Sequence, residues 1–241
     1  MNLILDIGNT LVKAASFDKG VLFDLKSFTS IKDLLSNLDV NAPIYKHCII
    51  SSVVENKAGL LSQIEFKKAP LWMDAQTKVP IKNDYQSPQT LGSDRLAAAV
   101  GANALFPNDT LLNVDTGTCI KYNFVHNGSF LGGAISPGIK MRLQAMHHFT
   151  AALPLLEHDN DYNKLIGGNT TESILSGALL GAVAEVDGII QNYLQKYPQL
   201  KVVLSGGDTE FFVKRLKNST FARPHLVLEG LNTILDYHVE S

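Results

Sequence analysis

Apolar and polar positions along this chain predict two copies of one structural unit. In the first copy, apolar residues 3–5 lead into an acidic loop, Asp6 to Thr10, and two further strand-like runs follow. In the second copy, apolar residues 111–114 lead into the loop Asp115 to Thr118, again followed by two strand-like runs around a glycine turn. The repeated order of strand, loop, strand, turn and strand predicts an α/β fold with two similar lobes.

Further patterns fill the two lobes, which are predicted over residues 1–110 and 111–241. In the first lobe they predict helices over 30–38, 56–64 and 96–105, and strands over 47–54 and 69–73. In the second lobe they predict a strand over 201–204, a closing helix, and helices that begin at Ser136 or Pro137, at Asn169 and at Thr209. Each lobe is therefore expected to hold a mixed β-sheet with flanking helices.

Composition and charge exclude some classes of function. Of 241 residues, 45% are hydrophobic and 18% are charged, which is typical of a soluble globular protein. The formal net charge of −2 shows no overall basic excess that would indicate nucleic-acid binding, although local basic patches are compatible with it. The apolar run at the N-terminus stops at Asp6 and has no positively charged leader, which favours neither a signal peptide nor a membrane span. We therefore expect a cytoplasmic protein.

Several common motifs are missing from the sequence. It contains no G-x-x-x-x-G-K-[ST], no G-x-G-x-x-G after the first strand, no H-E-x-x-H and no G-x-S-x-G. Walker-type NTPases, dinucleotide dehydrogenases, zinc proteases and ordinary serine hydrolases therefore lose support.

The two acidic loops carry residue types that bind phosphate together with a metal ion. Gly8 allows close approach of the backbone, while Asn9 and Thr10 supply short polar side chains. A single D-x-G sequence after a strand is most often a turn, but the second copy at Asp115 favours a ligand site. If the two loops face one cleft, their natural ligand is a metal-bound polyphosphate.

The segment from Gly92 to Arg95 is a second candidate site, and two interpretations are open. Ser93 or Asp94 suits the N-cap of a helix, in which case Arg95 is a surface charge. An acid and an arginine at a helix start, beside the long polar loop 74–89, equally suit a catalytic carboxylate next to an anion-binding group. Tyr85 is the one aromatic residue of that loop, and a packing or solvent-facing role is the default interpretation.

Taken together, the motifs resemble those of the actin, Hsp70 and sugar-kinase superfamily of ATP-binding folds. Within it the chain resembles the type III pantothenate kinases over essentially its full length. Six ordered motifs carry this resemblance: Asp6–Thr10, Tyr85 and Pro88 with Leu91–Arg95, Asp115–Thr118, Gly132-Gly133 with Ser136-Pro137-Gly138, Asn169-Thr170 with Ser176-Gly177, and Ser205–Asp208. The resemblance implies a duplicated, ribonuclease H-like fold that transfers the ATP γ-phosphate to the primary hydroxyl of pantothenate, the first step of coenzyme A biosynthesis.

The resemblance also implies roles for individual residues. ATP would bind at Asp6, Ile7, Gly8, Asn9, Thr10, Leu11, Val12, Lys13 and Thr118, with its Mg²⁺ at Asp6. Pantothenate would bind at Tyr85, Gly92, Ser93, Asp94, Arg95 and Thr170, with Asp94 as the general base. Asp115 would help to bind a monovalent cation, K⁺ or NH₄⁺. The protein would be a homodimer whose ligands are ATP and pantothenate, with no nucleic acid or membrane as partner.

One stretch departs from the family pattern. Type III kinases commonly continue the second loop as D-x-G-T-x-x-T-x-D, whereas Lys121 and Asn123 stand at the last two positions here. One hypothesis is that Lys121 partly replaces the monovalent cation. The alternative is that both side chains face solvent on an outward face of their strand.

Two other functions and one interface prediction complete the picture. The chain could be a non-catalytic, nucleotide-binding regulator on the same fold, or a kinase for another small hydroxyl compound. In the helix that follows Asn169, Gly177, Gly181 and Gly188 lower helix propensity, and close approach of another helix is the usual compensation. That helix is therefore predicted to lie in a subunit interface.

Overall fold

The computed structural model describes residues 1–53 and 68–240, and the chain forms two compact units. Unit 1 comprises residues 1–108, 128–131 and 225–241. Unit 2 comprises residues 109–127 and 132–224. The helix predicted over 56–64 lies outside the described residues. The units differ from the predicted lobes mainly at the C-terminus, where residues 225–241 belong to unit 1.

Unit 1 contains a mixed β-sheet. Its strands are β1 (Asn2–Ile7), β2 (Val12–Asp18), β3 (Val21–Phe28), β4 (His47–Ser52) and β5 (Leu71–Trp72), in the spatial order β3-β2-β1-β4-β5. The central strand β1 runs antiparallel to β2 and parallel to β4. Helix α1 (Ile31–Asn37) begins after Ser30, whose hydroxyl accepts a hydrogen bond from the Asp33 N–H. The predicted strands and the predicted first helix are thus confirmed within a few residues.

Two helices of unit 1, α2 (Ser93–Leu105) and α7 (Leu226–Glu240), pack closely on each other. A Cβ atom at Gly230 would lie 1.8 Å from the carbonyl oxygen of Ala97, and one at Gly101 would lie 2.7 Å from that of Leu226. Both glycines are therefore needed for the close approach of the two helices. This packing accounts for the membership of residues 225–241 in unit 1.

Unit 2 repeats the arrangement around its own central strand. Its strands are β7 (Leu111–Thr116), β8 (Cys119–His126), β9 (Ser129–Pro137), β10 (Lys201–Ser205) and β11 (Phe221–Ala222), in the spatial order β11-β10-β7-β8-β9. Strand β7 runs antiparallel to β8 and parallel to β10, as β1 does to β2 and β4. The first residues of β9 belong to unit 1 and pair there with the short strand β6 (Lys82–Asn83). The duplicated mixed sheets confirm the predicted α/β class.

The helices of unit 2 cover its sheet. They are α3 (Ile139–His148), α4 (Thr170–Leu175), a π-helical turn (Ser176–Leu180), α5 (Gly181–Lys196) and α6 (Thr209–Val213). The helix predicted to begin at Ser136 or Pro137 begins later, because β9 continues through Pro137 and Gly138 is the N-cap of α3. The start at Asn169 is confirmed, since its side-chain oxygen accepts a hydrogen bond from the Glu172 N–H at 2.9 Å.

Residues 170–196 form one continuous helical stretch. By length and composition it could cross a membrane, with a mean hydropathy of 1.6. The side chains on its buried face pack into the core of unit 2: Ile174, Leu175, Ala178, Leu179, Ala182, Val183, Val186 and Ile190. This packing is that of a core helix in a folded domain.

Candidate active site

The first acidic loop joins β1 to β2 in unit 1. The Gly8 N–H donates to the Leu11 carbonyl oxygen at 3.0 Å, which closes a tight turn. At the end of β1, Asp6 lies opposite Lys13 of β2 and opposite Ser51 of β4 in the strand register. The Asp6 carboxylate, Lys13 and the tight turn at Gly8 therefore lie together at the C-terminal end of the central strand β1. These groups suit a phosphate ligand that carries a metal ion.

The residues of this loop differ in what they offer to a ligand. Asn9, Thr10 and Leu11 are exposed. Ile7 and Val12 are buried, with 3% and 5% of their surface exposed. Ile7 and Val12 can therefore contact a ligand through backbone groups, whereas Asn9 and Thr10 can also use their side chains.

A hydrogen bond connects the end of the central strands of unit 1 to the start of α2. The hydroxyls of Ser51 and Ser93 lie 2.9 Å apart, and Ser51 is fully buried. Because Ser51 is the strand neighbour of Asp6, this bond holds the start of α2 beside the strand that carries Asp6. The predicted phosphate-binding residue Asp6 and the predicted base Asp94 are thus brought to one region of unit 1.

The start of α2 differs from the predicted capping arrangement. Gly92 is the N-cap, so the prediction of Ser93 or Asp94 at that position is wrong. Ser93 uses its hydroxyl on Ser51, and the Asp94 carboxylate accepts a hydrogen bond from the Arg95 N–H at 2.9 Å. A Cβ atom at Gly92 would lie 2.5 Å from the same carboxylate oxygen. Glycine is therefore required for the Asp94 side chain to lie where it does.

Arg95 is a buried cation rather than a surface charge. Only 6% of its surface is exposed. The guanidinium carbon lies 5.6 Å from the centroid of the Tyr85 ring and 5.8 Å from that of Phe130. Aromatic rings within about 6 Å of a cation stabilise it electrostatically. The role of Phe130 was missed, because nothing in the sequence indicates which face of a strand an aromatic residue occupies.

A cleft opens beside the start of α2. In the described part of unit 1 it has a volume of about 480 Å³, and Gly92 and Ser93 form part of its wall. Apolar side chains from Met73 and Leu96 and a polar side chain from Asn83 also line it. Its size is that of a typical small-molecule site.

The second acidic loop, in unit 2, is held against the turn that follows β10. Thr116 is buried, and its hydroxyl donates to the Ser205 carbonyl oxygen at 2.8 Å. The Asp208 N–H donates to the Thr116 carbonyl oxygen at 3.0 Å. At Gly206, where φ is +95°, a Cβ atom would lie 2.3 Å from that oxygen. The motifs Asp115–Thr118 and Ser205–Asp208 are therefore brought together in unit 2.

The segment before α3 lies against the same loop. The Gly138 N–H donates to the Thr118 carbonyl oxygen at 3.1 Å. A Cβ atom at Gly138 would lie 2.1 Å from the carbonyl oxygen of Gly117. The Thr118 side chain itself is exposed, so it is accessible to a ligand.

A carboxylate that the sequence analysis missed holds this segment in place. Glu185 of α5 accepts hydrogen bonds from the Ser136 hydroxyl at 2.5 Å, from the Tyr122 hydroxyl at 3.1 Å and from the Arg142 guanidinium. Burial raises the pKa of the Glu185 carboxyl, but the bonds from Ser136 and Arg142 lower it more, so its pKa lies below its ordinary value. The carboxylate is thus kept ionised by the groups that it connects.

The two residues that depart from the family pattern both face into unit 2. The Lys121 ammonium lies 2.8 Å from the Asp115 carboxylate, and 21% and 11% of the two side chains are exposed. Asn123 is fully buried and donates to the Asn113 side-chain oxygen at 3.0 Å. The interpretation that both side chains face solvent is therefore wrong.

The predicted pantothenate residues do not all belong to one unit. Tyr85 and the segment Gly92–Arg95 belong to unit 1, where Arg95 contacts the Tyr85 ring. Thr170 belongs to unit 2, where it is the exposed first residue of α4.

The donor groups of the chain fit a metal ion that arrives with a phosphate ligand. Within residues 1–53 and 68–240, no group of three or more His, Cys, Asp or Glu residues is placed to hold a metal ion. Magnesium bound to a nucleotide commonly takes only one or two carboxylates from the protein, together with phosphate oxygens and water. Asp6, beside the Gly8 turn, meets that requirement.

Comparison with solved structures shows the fold. A protein of Campylobacter jejuni described as a Baf family transcriptional activator has a TM-score of 0.64 at 20% identity, over 99% of this chain and 100% of that one. The activator of 2-hydroxyisocaproyl-CoA dehydratase from Clostridium difficile, with bound ADPNP, has a TM-score of 0.52 at 12% identity, over 100% and 97%. These similarities confirm the actin-like ATPase fold.

Comparison with protein families and sequences is more specific. The family model for type III pantothenate kinase matches residues 2–192. A type III pantothenate kinase of Cytophaga hutchinsonii is 40% identical over 240 residues, which cover 99% of this chain and 100% of the relative. That of Flavobacterium johnsoniae is 35% identical over 244 residues, which cover 100% of both chains. The chain therefore belongs to the type III pantothenate kinase family.

Proposed function

We propose that this protein is an ATP-dependent kinase that phosphorylates the primary hydroxyl of pantothenate in coenzyme A biosynthesis. Beyond family membership, one observation carries the proposal. The Ser51–Ser93 hydrogen bond holds the start of α2, which carries Asp94, beside the strand that carries Asp6, and the bare Cα of Gly92 leaves room for the Asp94 carboxylate. A helix cap alone does not require this arrangement, since Gly92 already occupies the N-cap position.

In the proposed reaction Asp94 is the general base. It accepts the proton of the pantothenate hydroxyl as that oxygen attacks the γ-phosphorus and ADP leaves. Because phosphoryl transfer has a loose transition state, the proton leaves late and the base must be well placed rather than strongly basic. The hydrogen bond from the Arg95 N–H fixes one oxygen of the Asp94 carboxylate in position.

The proposed ATP site uses residues 6–13 and Thr118. Gly8 and the backbone of Ile7 and Val12 would approach the phosphates, while Asn9, Thr10, Leu11 and Lys13 would offer their side chains. Asp6 would hold Mg²⁺, which neutralises phosphate charge when it is bound.

The proposed pantothenate site uses Tyr85, Gly92, Ser93, Arg95 and Thr170. The planar guanidinium of an arginine can donate two parallel hydrogen bonds to a carboxylate, so Arg95 suits the carboxylate of pantothenate. The Arg95 side chain is already buried between the rings of Tyr85 and Phe130, so little side-chain entropy is lost when the substrate binds.

The monovalent cation that the resemblance implies does not fit Asp115. The carboxylate is already paired with the Lys121 ammonium at 2.8 Å. A K⁺ or NH₄⁺ ion at the same carboxylate would be repelled by that ammonium. No step of the proposed reaction is therefore assigned to a bound monovalent cation.

The function is tested by ADP release from the purified protein with Mg-ATP, in the presence and absence of pantothenate. We expect turnover that depends on pantothenate and a product phosphorylated on the primary hydroxyl. Turnover with another small hydroxyl compound but not with pantothenate would make the protein a different kinase. ATP binding without turnover would favour the nucleotide-binding regulator.

We also propose a homodimer, located in the cytoplasm, with neither membrane nor nucleic acid as partner. Between residues 173 and 188 every exposed position of this helical stretch is small: Ser173, Gly177, Gly181, Ala184 and Gly188. A Cβ atom at any of these three glycines would meet no heavy atom of the described chain within 4 Å. Each glycine costs about 0.5–1 kcal/mol of helix stability relative to Ala, and a helix of a second copy packed on this face offsets that cost.

A large side chain at Gly181 is therefore expected to weaken the dimer. The variant Gly181→Leu has room to fold within one chain, but its side chain would occupy the space of the partner helix. Sedimentation equilibrium should give a dissociation constant at least about tenfold higher than that of the wild type, as expected for overpacking of 1–3 kcal/mol. The variant Gln144→Leu, at an exposed position of α3, is the control for added surface hydrophobicity. Unchanged dimerisation of Gly181→Leu would place the interface elsewhere.

A further inference from the structure

We infer that the Lys121 ammonium serves as a built-in cation at Asp115, so that this enzyme works without a bound monovalent cation. The inference rests on the proposed kinase function. It starts from the register of the β7–β8 hairpin, in which Asp115 and Lys121 are directly opposite each other. Their side chains meet at 2.8 Å and are largely withdrawn from water. An ion pair at this degree of burial is far less screened by salt than a surface pair.

The other oxygen of Asp115 belongs to a chain of buried polar side chains. The Ser205 hydroxyl lies 3.4 Å from it and accepts a hydrogen bond from the Asn113 amide at 2.8 Å. The side-chain oxygen of Asn113 in turn accepts from Asn123 at 3.0 Å. Lys121 and Asn123, the two departures from the family pattern, therefore take part in one connected network.

The charges of this network balance without an added ion. Within this network Asp115 carries the single negative charge, and the Lys121 ammonium neutralises it. The Asn123 amide supplies the donor that Asn113 needs, which a carboxylate could not do. A second cation would have to enter a site whose net charge is already zero, at the cost of its own dehydration.

The network adjoins the loop that carries Thr118, which the proposed function assigns to the nucleotide, and the turn Ser205–Asp208 that packs on this loop. A Cβ atom at Gly206 would lie 2.7 Å from the Asp115 carboxylate. The Thr116 hydroxyl and carbonyl bind Ser205 and Asp208, so the pair supports both loops of unit 2. Unit 1 repeats this cross-strand pairing of an aspartate with a lysine, because Lys13 of β2 lies opposite Asp6 of β1. Lys121 thus acts as a positioning residue for these loops.

The experiment compares wild type and Lys121→Ala in choline, Na⁺, K⁺ or NH₄⁺ salts at equal ionic strength. Wild-type turnover with Mg-ATP and pantothenate should stay within about twofold in all four salts. Lys121→Ala should lose about 10–100-fold in choline, the usual effect of removing an outer residue of a site. K⁺ or NH₄⁺ should restore most of that loss by occupying the space beside Asp115.

The melting temperature without substrates gives a second readout. K⁺ or NH₄⁺ should raise it relative to choline for Lys121→Ala and leave the wild type unchanged, because only the variant can bind the ion. Lys201→Ala is the matched control, since it removes a different lysine–aspartate pair, the one between β10 and Asp109, and should show no response to cations. Lys121→Arg keeps the charge and should remain independent of the salt.

Several outcomes would overturn the inference. One is a wild type that needs K⁺ or NH₄⁺, a result that stands even if Lys121→Ala does not fold. Another is a folded Lys121→Ala that responds to neither ion in turnover or in melting temperature. Failure of the kinase function is distinguishable, because it abolishes pantothenate-dependent turnover in every salt and leaves the melting experiment intact.

Discussion

Turnover of the Asp94→Asn variant is expected to fall at least about 100-fold, because an amide cannot accept the proton of the substrate hydroxyl. The fold should be unaffected, since Asn has the size of Asp and its side-chain oxygen can still accept the hydrogen bond from the Arg95 N–H. Steady-state ADP release with Mg-ATP and pantothenate measures the loss. Thermal melting and gel filtration of the same preparation check that the variant is folded and has the oligomeric state of the wild type.

Asp33→Asn is the matched control for this experiment. Like Asp94, Asp33 is a carboxylate in the first turn of a helix of unit 1. It accepts a hydrogen bond from the Thr29 N–H, so removing its charge should cost about 0.3–1 kcal/mol of stability. Its turnover should equal that of the wild type. Normal turnover of Asp94→Asn would leave Asp94 as a structural residue at the start of α2 and remove the base from the proposed reaction.

The repeated architecture could be predicted because it is encoded in local patterns. A buried strand that ends in an acidic glycine loop occurs at Asp6 and at Asp115, and the structure has a central strand with an antiparallel and a parallel neighbour at both places. The start of α4 was likewise predictable, since Asn169 and Glu172 act within four residues of each other. Signals of this kind need no knowledge of distant parts of the chain.

Helix starts were predicted wrongly where a polar side chain has a distant partner. Ser93 binds Ser51, and Ser136 binds Glu185, so neither hydroxyl is left to cap the helix that follows it. Both partners are more than forty positions away in the sequence. The N-cap propensity of serine reflects hydrogen bonds from its hydroxyl to the backbone N–H groups of the same helix. At these two places the hydroxyl instead forms a hydrogen bond with a residue that is distant in the sequence.

The orientation of Lys121 and Asn123 shows a second limit. Period-two alternation places both residues on one face of β8, but it does not tell which face meets solvent. Strand β8 is covered on both faces, with buried or half-buried residues at every position from Cys119 to His126. The ion pair between Lys121 and Asp115 could therefore be predicted only from the cross-strand register of β7 and β8. That register depends on the length of the hairpin loop.

The close packing of Gly138 on the second acidic loop leads to the other large effect. We expect Gly138→Ala to raise the KM for ATP at least about tenfold, because an added methyl group forces the loop to move, and misplacement of about 1 Å can cost 100-fold in rate. The new Cβ atom would lie 2.1 Å from the Gly117 carbonyl oxygen and 2.6 Å from that of Thr118, both of which are backbone atoms. The backbone angles of Gly138, φ −71° and ψ 172°, are open to alanine, so the effect is purely steric. Initial rates at varied ATP and at varied pantothenate measure it.

Loss of stability must be separated from displacement of the loop. Gly20→Ala serves as the control, because Gly20 has φ +79° at the β2–β3 turn, at the opposite end of β2 from the Asp6 loop, and the described chain places no atom near its added Cβ. Alanine there costs about 1–2 kcal/mol of backbone strain and should lower the melting temperature without changing the KM for ATP. If Gly138→Ala behaved like Gly20→Ala, losing stability but keeping its affinity for ATP, the Thr118 loop would not belong to the nucleotide site. The nearest described atoms to a Cβ atom at Gly138 all belong to Gly117 and Thr118, in the second acidic loop. A rise in the KM for ATP that greatly exceeds any rise in the KM for pantothenate would therefore assign this loop to the nucleotide site.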